Sequence, residues 1–171
     1  HIVYLSQTSN IKVGVTRRTN MPTRWFDQGA TQALPIIATQ KRLHAGLIEV
    51  ELAKAIADKT NWRKMLQGDA EDVDLHAYAS RLLQAENIQE LLANQTLWQD
   101  QQPQLIKNHQ DMNITYPVLK YPVKIRSHNP EKTPTIEGKL LGMKGQYIIL
   151  DTGVLNLRKY TGYFTQITLD A

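Results

Sequence analysis

The period of the apolar residues changes along this chain, and the change restricts it to folds that mix helices with strands. Between Asp69 and about Leu97, the residues Val73, Leu75, Ala79, Leu82, Leu83, Ile88, Leu91 and Leu92 recur at helical spacing. After Ile114, short apolar runs alternate with turn formers: Asn129-Pro130, Gly142 with Gly145, and Asp151-Thr152-Gly153. The pieces 115–126, 135–141, 146–150, 154–157 and 163–169 read as strands. Short strands so regularly spaced predict a small antiparallel barrel.

Ahead of the helical segment, Ile2-Val3-Tyr4-Leu5 and Ile11-Lys12-Val13-Gly14-Val15 read as two strands of a hairpin, joined by the turn formers of 6–10. In that register Leu5 meets Ile11 and Tyr4 faces Lys12 across the strands. Asn20 and Pro22 then open a short helix through Arg24, Trp25 and Phe26 that stops at Gly29. Residues 34–39 form a third strand. A helix carrying Glu49 runs to about Lys59, and Thr60 or Asn61 caps the next. Trp25 and Trp62 read as core residues. The expected architecture is α+β: a small antiparallel sheet with flanking helices over 1–68, a helical connector over 69–112, and a small all-β domain over 113–171 that folds as its own unit.

Charge follows the same divisions. Residues 1–67 carry a net +6, residues 68–112 a net −6 and residues 113–171 a net +4. Two basic lobes around an acidic segment fit lobes that meet phosphate and a connector that does not. Arg17 and Arg18 are the expected phosphate contacts of the first lobe. In the last, Lys144, Arg158 and Lys159 lie near Tyr147, Tyr160 and Tyr163, a combination that tracks phosphates and stacks bases, or else a tyrosine-rich core. No apolar run approaches the roughly 20 residues that span a bilayer, so no membrane partner is expected and a cytoplasmic protein is. Without cysteine there is no disulfide or cysteine zinc site in this stretch, and His76, His109 and His128 lack the spacing of zinc ligands.

Glu49 is set apart by its helix face. Its neighbours at helical spacing are Ala45, Leu52, Ala53 and Ile56, an apolar stripe, whereas Glu51 neighbours Lys54, Ala55 and Asp58 on a wetter face. A carboxylate on an apolar stripe calls for a cation, a donor or a metal.

Tyr4, Lys12-Val13-Gly14, Arg24 and Glu49 form an ordered series that resembles the core of the GIY-YIG nucleases. IVYL stands at the first motif and KVGVT at the second. Arg24 stands at the helix arginine, and AGLIEVEL in the helix that carries the metal-binding glutamate. The first motif lacks its glycine, Lys12 replaces the second tyrosine, and Gln28 stands where a histidine is frequent. Asn61 falls near a late family asparagine, and His44 is a candidate proton carrier from the following loop. The resemblance implies a Mg²⁺ (or Mn²⁺) ion held by Glu49, a water contacted or deprotonated by Tyr4, and a phosphate neutralised by Arg24. Lys12 beside Tyr4 would lower the phenol pKa. Arg17, Arg18, Gln28, His44, Lys144 and Arg158 complete the expected nucleic-acid contacts. The strings KVGVTRR, PTRWFDQGA, NWRKML and KGQYIILDTGVLNLRKYTGY are similar, over almost the whole chain, to a prokaryotic family named the domain of unknown function 2797, which implies a Cys-rich part upstream of His1. The expected activity is a divalent-metal-dependent, endonuclease-like phosphodiesterase acting on DNA or RNA. The alternative is a non-catalytic nucleic-acid-binding module on a degenerate scaffold.

Overall fold

The computed structural model describes residues 1–56, 61–107 and 111–169. Strands β1 (Ile2–Gln7) and β2 (Ile11–Thr16) form an antiparallel hairpin. The short helix α1 (Thr23–Asp27) follows, then β3 (Gln32–Ala38), which returns antiparallel to the other side of β1. Helix α2 (Arg42–Ala53) carries Glu49. Helices α3 (Trp62–Met65), α4 (Leu75–Leu83), α5 (Glu86–Ala93) and α6 (Gln95–Trp98) come next. The two-residue strands β4 (Gln104–Leu105) and β5 (Met112–Asn113) then both pair with β3. A second sheet holds β6 (Leu140–Lys144), β7 (Tyr147–Leu150) and β8 (Val154–Asn156) in a plain antiparallel meander.

The mixed helix-and-sheet class is therefore as expected, but the hairpin register is not. Gln7 pairs with Ile11, which leaves a three-residue turn in place of the expected five, closed by Thr8 N–H donating to Asn10 O. Tyr4 consequently lies opposite Gly14, and Lys12 opposite Ser6. The register has moved by two residues, an even shift that keeps every side chain on its expected face while changing its partner.

All six residues of β1 are buried, because the strand is central and covered on both faces. One face takes Val3, Leu5, Val13 and Leu34 against Ala45, Ile48 and Leu52 of α2, then Leu75, Ala79 and Leu82 of α4, Ile88 and Trp98. The helices expected as a connector thus close the core of the first sheet, and the same segment adds β4 and β5 to that sheet. Each buried Leu or Ile contributes about 1.5–3 kcal/mol over its exposed state, which binds these helices to the sheet. The Gln32 amide ties segment 71–73 in place: its Nε2 donates to Val73 O at 3.2 Å and its Oε1 accepts from Val73 N at 2.9 Å. The other face takes Tyr4 with Trp25, Ala30 and Ala33.

No closed barrel forms in the C-terminal part. The segment expected as a strand over 115–126 holds Pro117 and Pro122, which lack an N–H to donate, and it makes only the isolated bridge between Val118 and Gly142. Segment 163–169 has no regular structure. The small sheet instead buries Tyr147, Ile149 and Val154 against Met65 and Leu66, with Trp62 stacked on Tyr147 at 5.6 Å between ring centroids. A sheet that covers its apolar face on a neighbouring helix has no need to close on itself. The expected helix end at Lys59, the cap at Thr60 and His109 lie outside the described residues. Asn61 is the cap of α3, its Oδ1 accepting from Arg63 N and Lys64 N. Among the described residues, no helix is long and apolar enough to cross a membrane.

Candidate functional site: a tyrosine, glutamine and arginine cluster beside a basic sheet end

Gly14 makes the site possible. Its missing side chain leaves the space that the Tyr4 ring occupies: a Cβ there would lie 2.7 Å from both Cζ and Oη of Tyr4. The ring therefore lies flat across the neighbouring strand, with Trp25 edge-on at 5.9 Å between centroids. Its hydroxyl reaches the last turn of α1, where Tyr4 Oη lies 3.0 Å from the Gln28 amide. The partners orient that amide. Arg24 can only donate, so Gln28 Oε1 turns to Arg24 Nε (3.3 Å) and Nη2 (3.2 Å), and Gln28 Nε2 donates to the phenol oxygen at 3.0 Å. Arg24 and Gln28, four residues apart, share one face of α1.

Burial pushes the Tyr4 phenol above its ordinary pKa of 10.0, and the charge of Glu49 adds to this; Arg24 and Gln28 oppose it without prevailing. The expected pairing with Lys12 is thus corrected twice. Lys12 sits diagonally from Tyr4, on the same sheet face, and the cation that acts on the phenol is Arg24. Tyr4 is fully buried and keeps its proton at neutral pH.

An alkaline titration checks this. A phenol raised in the folded chain keeps its proton where the unfolded chain, near 10, loses it. Stability is therefore intact below pH 10 and falls as pH rises through the folded pKa. Tyr116 and Tyr121 are also raised by burial and act in the same direction. Thermal melts above pH 10 are expected to show a steep loss of stability that Tyr4→Phe makes shallower.

Glu49 is half-buried on α2, beside the buried stripe of Ala45, Ile48 and Leu52, as its helix face predicts. Glu51 departs from expectation: its side chain is only 21% exposed, ion-paired to Lys54 at 2.6 Å and accepting from Asn87 Nδ2 at 2.6 Å. It ties α2 to α5. Among the described residues, no group of three His, Asp or Glu side chains is arranged to hold a metal. Glu49 presents one hard oxygen donor of the kind divalent cations accept.

Arg17 and Arg18 leave the sheet exposed at the end of β2, where Thr16, Ile2 and Ala38 are in register. The same end continues from β3 into Lys41 and Arg42, both exposed. This four-cation sheet end lies two residues from Tyr4, about 7 Å along the strand. Lys41 and Arg42 were not singled out in the sequence; their place beside Arg17 comes from the pairing of β1 with both neighbours.

Three other expected contacts lie elsewhere. His44 is buried edge-on against Trp98, 5.1 Å between centroids, on the helix-covered face. Arg158 is exposed on a 3₁₀ turn, Leu157–Tyr160, of the C-terminal part. Lys144 is fully buried: its Nζ donates to Asp69 Oδ1 at 2.7 Å and Gly68 O at 3.0 Å, with the Tyr121 ring at 5.0 Å. It is a structural tie between β6 and the segment that follows α3, and its burial leaves it no exposed face for a phosphate. Burial lowers the Lys144 pKa, against the pull of Asp69. Burial alone would raise Asp69, but hydrogen bonds from Lys144 and Tyr121 outweigh it and hold the carboxyl below 3.8. Its stabilisation is present above the unfolded pKa and is lost as pH falls through the lower folded value. Asp69→Asn is expected to cost about 1–3 kcal/mol in denaturant unfolding, since it leaves the Lys144 charge buried without its partner. That cost should shrink as pH falls below 3.8 and through the lower folded value. Lys144→Met, which removes the buried charge, should be milder.

The C-terminal part also braces the site. Tyr116 Oη lies 3.0 Å from Ala30 O and 3.2 Å from Phe26 O, and the hairpin tip at Gly145 abuts the turn after α1. These contacts hold the turn that presents Gln28.

The described chain is thus a mixed helix-and-sheet protein in which a buried tyrosine meets a half-buried glutamine and arginine next to a basic sheet end. Over residues 1–165 it matches the family model described as protein of unknown function DUF2797, and it belongs to that family. No curated protein and no solved structure matches it.

Proposed function

We propose that this protein is a divalent-metal-dependent phosphodiesterase of GIY-YIG type acting on cytoplasmic DNA or RNA. The observation that carries the reading is the meeting of Tyr4, Gln28 and Arg24, with Glu49 close enough for its charge to act on the phenol. Tyr4, Arg24 and Glu49 are residue types, in the order, that make the chain resemble that nuclease core, and Gln28 stands where that core frequently has a histidine. In this reading the exposed cations Arg17, Arg18, Lys41 and Arg42 hold the strand by its phosphates. Arg24, fixed by Gln28, offers its remaining guanidinium donors to the scissile phosphate. Tyr4, protonated, aligns Gln28 and Arg24 from below. Mg²⁺ or Mn²⁺ bound at Glu49 would supply charge relief to the phosphate oxygens and an acidified water.

The full burial of Tyr4 favours a second reading, a nucleic-acid-binding module without cleavage, because a buried phenol does not touch a water at the phosphate. One experiment separates the two. Single- and double-stranded DNA, RNA and branched forms are incubated with the protein in Mg²⁺, Mn²⁺ or EDTA. Cleavage that EDTA stops supports the nuclease. Binding that weakens steeply with salt, without cleavage, supports the module. Neither binding nor cleavage at low salt would remove both.

A further inference from the structure

A second basic site lies in the C-terminal part, away from the Tyr4 cluster. A cavity of about 460 Å³ is walled on one side by Pro122, Lys124 and Arg126 and on the other by the turn 150–153 between β7 and β8. The backbone builds it. Ile125 packs onto the cluster of Met65, Tyr147 and Ile149, while its neighbours Lys124 and Arg126 are both exposed. Val154 N donates to Arg126 O at 2.7 Å, and His128 N to Val154 O at 2.9 Å, pinning this segment to the turn. Gly153 permits the approach, since a Cβ there would lie 2.8 Å from Arg126 O.

The charges in the cavity are unbalanced. Its carboxylate, Asp151, is engaged elsewhere, its Oδ1 accepting from Lys139 N at 2.8 Å. Thr152 Oγ1 donates to Glu137 O at 2.8 Å. Among the described residues, neither Lys124 nor Arg126 has a salt-bridge partner. Two outward cations beside the apolar walls of Pro122 and Leu150 match a phosphate attached to a sugar and base, and the volume lies within the roughly 300–1,000 Å³ of small-molecule sites.

We propose that this cavity binds the phosphate of a nucleotide, free or as one residue of a nucleic-acid strand, through Lys124 and Arg126. Calorimetric titration of the full chain tests it with adenosine 5′-monophosphate, inorganic phosphate, adenosine and a short oligodeoxyadenylate. The nucleotide or the oligonucleotide should bind, and adenosine at least about tenfold more weakly. The double variant Lys124→Ala/Arg126→Ala should lose at least about tenfold in affinity. Lys124→Glu alone should do the same. Lys64→Ala, an exposed cation outside the cavity lining, should leave binding of the mononucleotide unchanged. Binding of the mononucleotide or of inorganic phosphate would identify a free phosphate ligand, and binding of the oligonucleotide alone would identify a strand. No binding of any probe to the wild type, or wild-type affinity in the double variant, would overturn the proposal. The readout involves no cleavage, so its failure leaves the reading of the Tyr4 site standing.

Discussion

In the proposed nuclease, Glu49→Gln is expected to lower metal-dependent cleavage by about a hundredfold or more while the chain stays folded. Glutamine keeps the shape of a side chain that is already half-buried beside the Ala45, Ile48 and Leu52 stripe, so the packing of α2 survives. What disappears is the negative charge that a divalent cation needs. Glu51→Gln is the matched control. Two residues away on the same helix, Glu51 is bound to Lys54 and Asn87, so its loss should register as a small fall in melting temperature with unchanged cleavage. A further readout does not depend on activity. Burial is the main reason the Tyr4 phenol is raised, and Glu49 adds to it. The phenol should therefore ionise at lower pH in Glu49→Gln than in the wild type. Equal cleavage in the two variants would remove Glu49 from the metal site, and an unmoved phenol would place it too far from Tyr4 to matter.

Gly14→Ala should be destabilising by about 3 kcal/mol, a change whose sign is informative. In an ordinary strand, alanine is better than glycine by roughly 0.5–1 kcal/mol. Here the new methyl would sit 2.7 Å from Tyr4 Cζ and Oη, and the ring is fully buried with Trp25 against it. For a chain of this length the cost corresponds to a fall of about 6–12 °C in melting temperature. Displacing the ring should also release Gln28 and Arg24, so activity or nucleic-acid binding should fall with stability. Tyr4→Leu provides the double-variant cycle: the clash is gone once the ring is gone, so the double variant should be more stable than the sum of the two single costs by at least about 1 kcal/mol. Strict additivity would mean that Gly14 is not there for Tyr4.

The candidate site was legible in the sequence as a set of residue types in order, and less so as a geometry. Glu49 stood out as a carboxylate on an apolar stripe, while Tyr4 and Arg24 were singled out by the resemblance of the ordered series to a nuclease core. Their partners were not found correctly. Lys12 was paired with Tyr4 because the turn formers Ser6 to Asn10 read as a five-residue loop. Hairpin register depends on where the turn tightens, and pairing runs on through Ser6 and Gln7, so the turn is only Thr8 to Asn10. His44 and Lys144 were read as nucleic-acid contacts because polar side chains are usually exposed. Trp98 and Asp69, 54 and 75 residues away along the chain, bury them. No local pattern encodes a partner at that separation.

By itself the sequence determined the first hairpin, β3 and most of the helices, since each depends on neighbours within a turn or a strand, but not the strands expected over 115–126 and 163–169. The switch from helical to strand periodicity, the Asn61 cap, the α1 stop at Gly29 and the face on which Glu49 lies all follow from local sterics and hydrogen bonding. Tertiary structure decided what those elements cover. The acidic helices turned out to seal the first sheet, because Leu75, Leu82, Ile88 and Trp98 remove more apolar surface there than a free-standing connector would. The expected barrel became a three-stranded sheet because Met65, Leu66 and Trp62 already cover its apolar face. Packing also gathered Arg17, Arg18, Lys41 and Arg42 at one sheet end and set Lys124 and Arg126 against a distant turn. Those placements depend on burial and register summed over the whole chain, which no single segment contains.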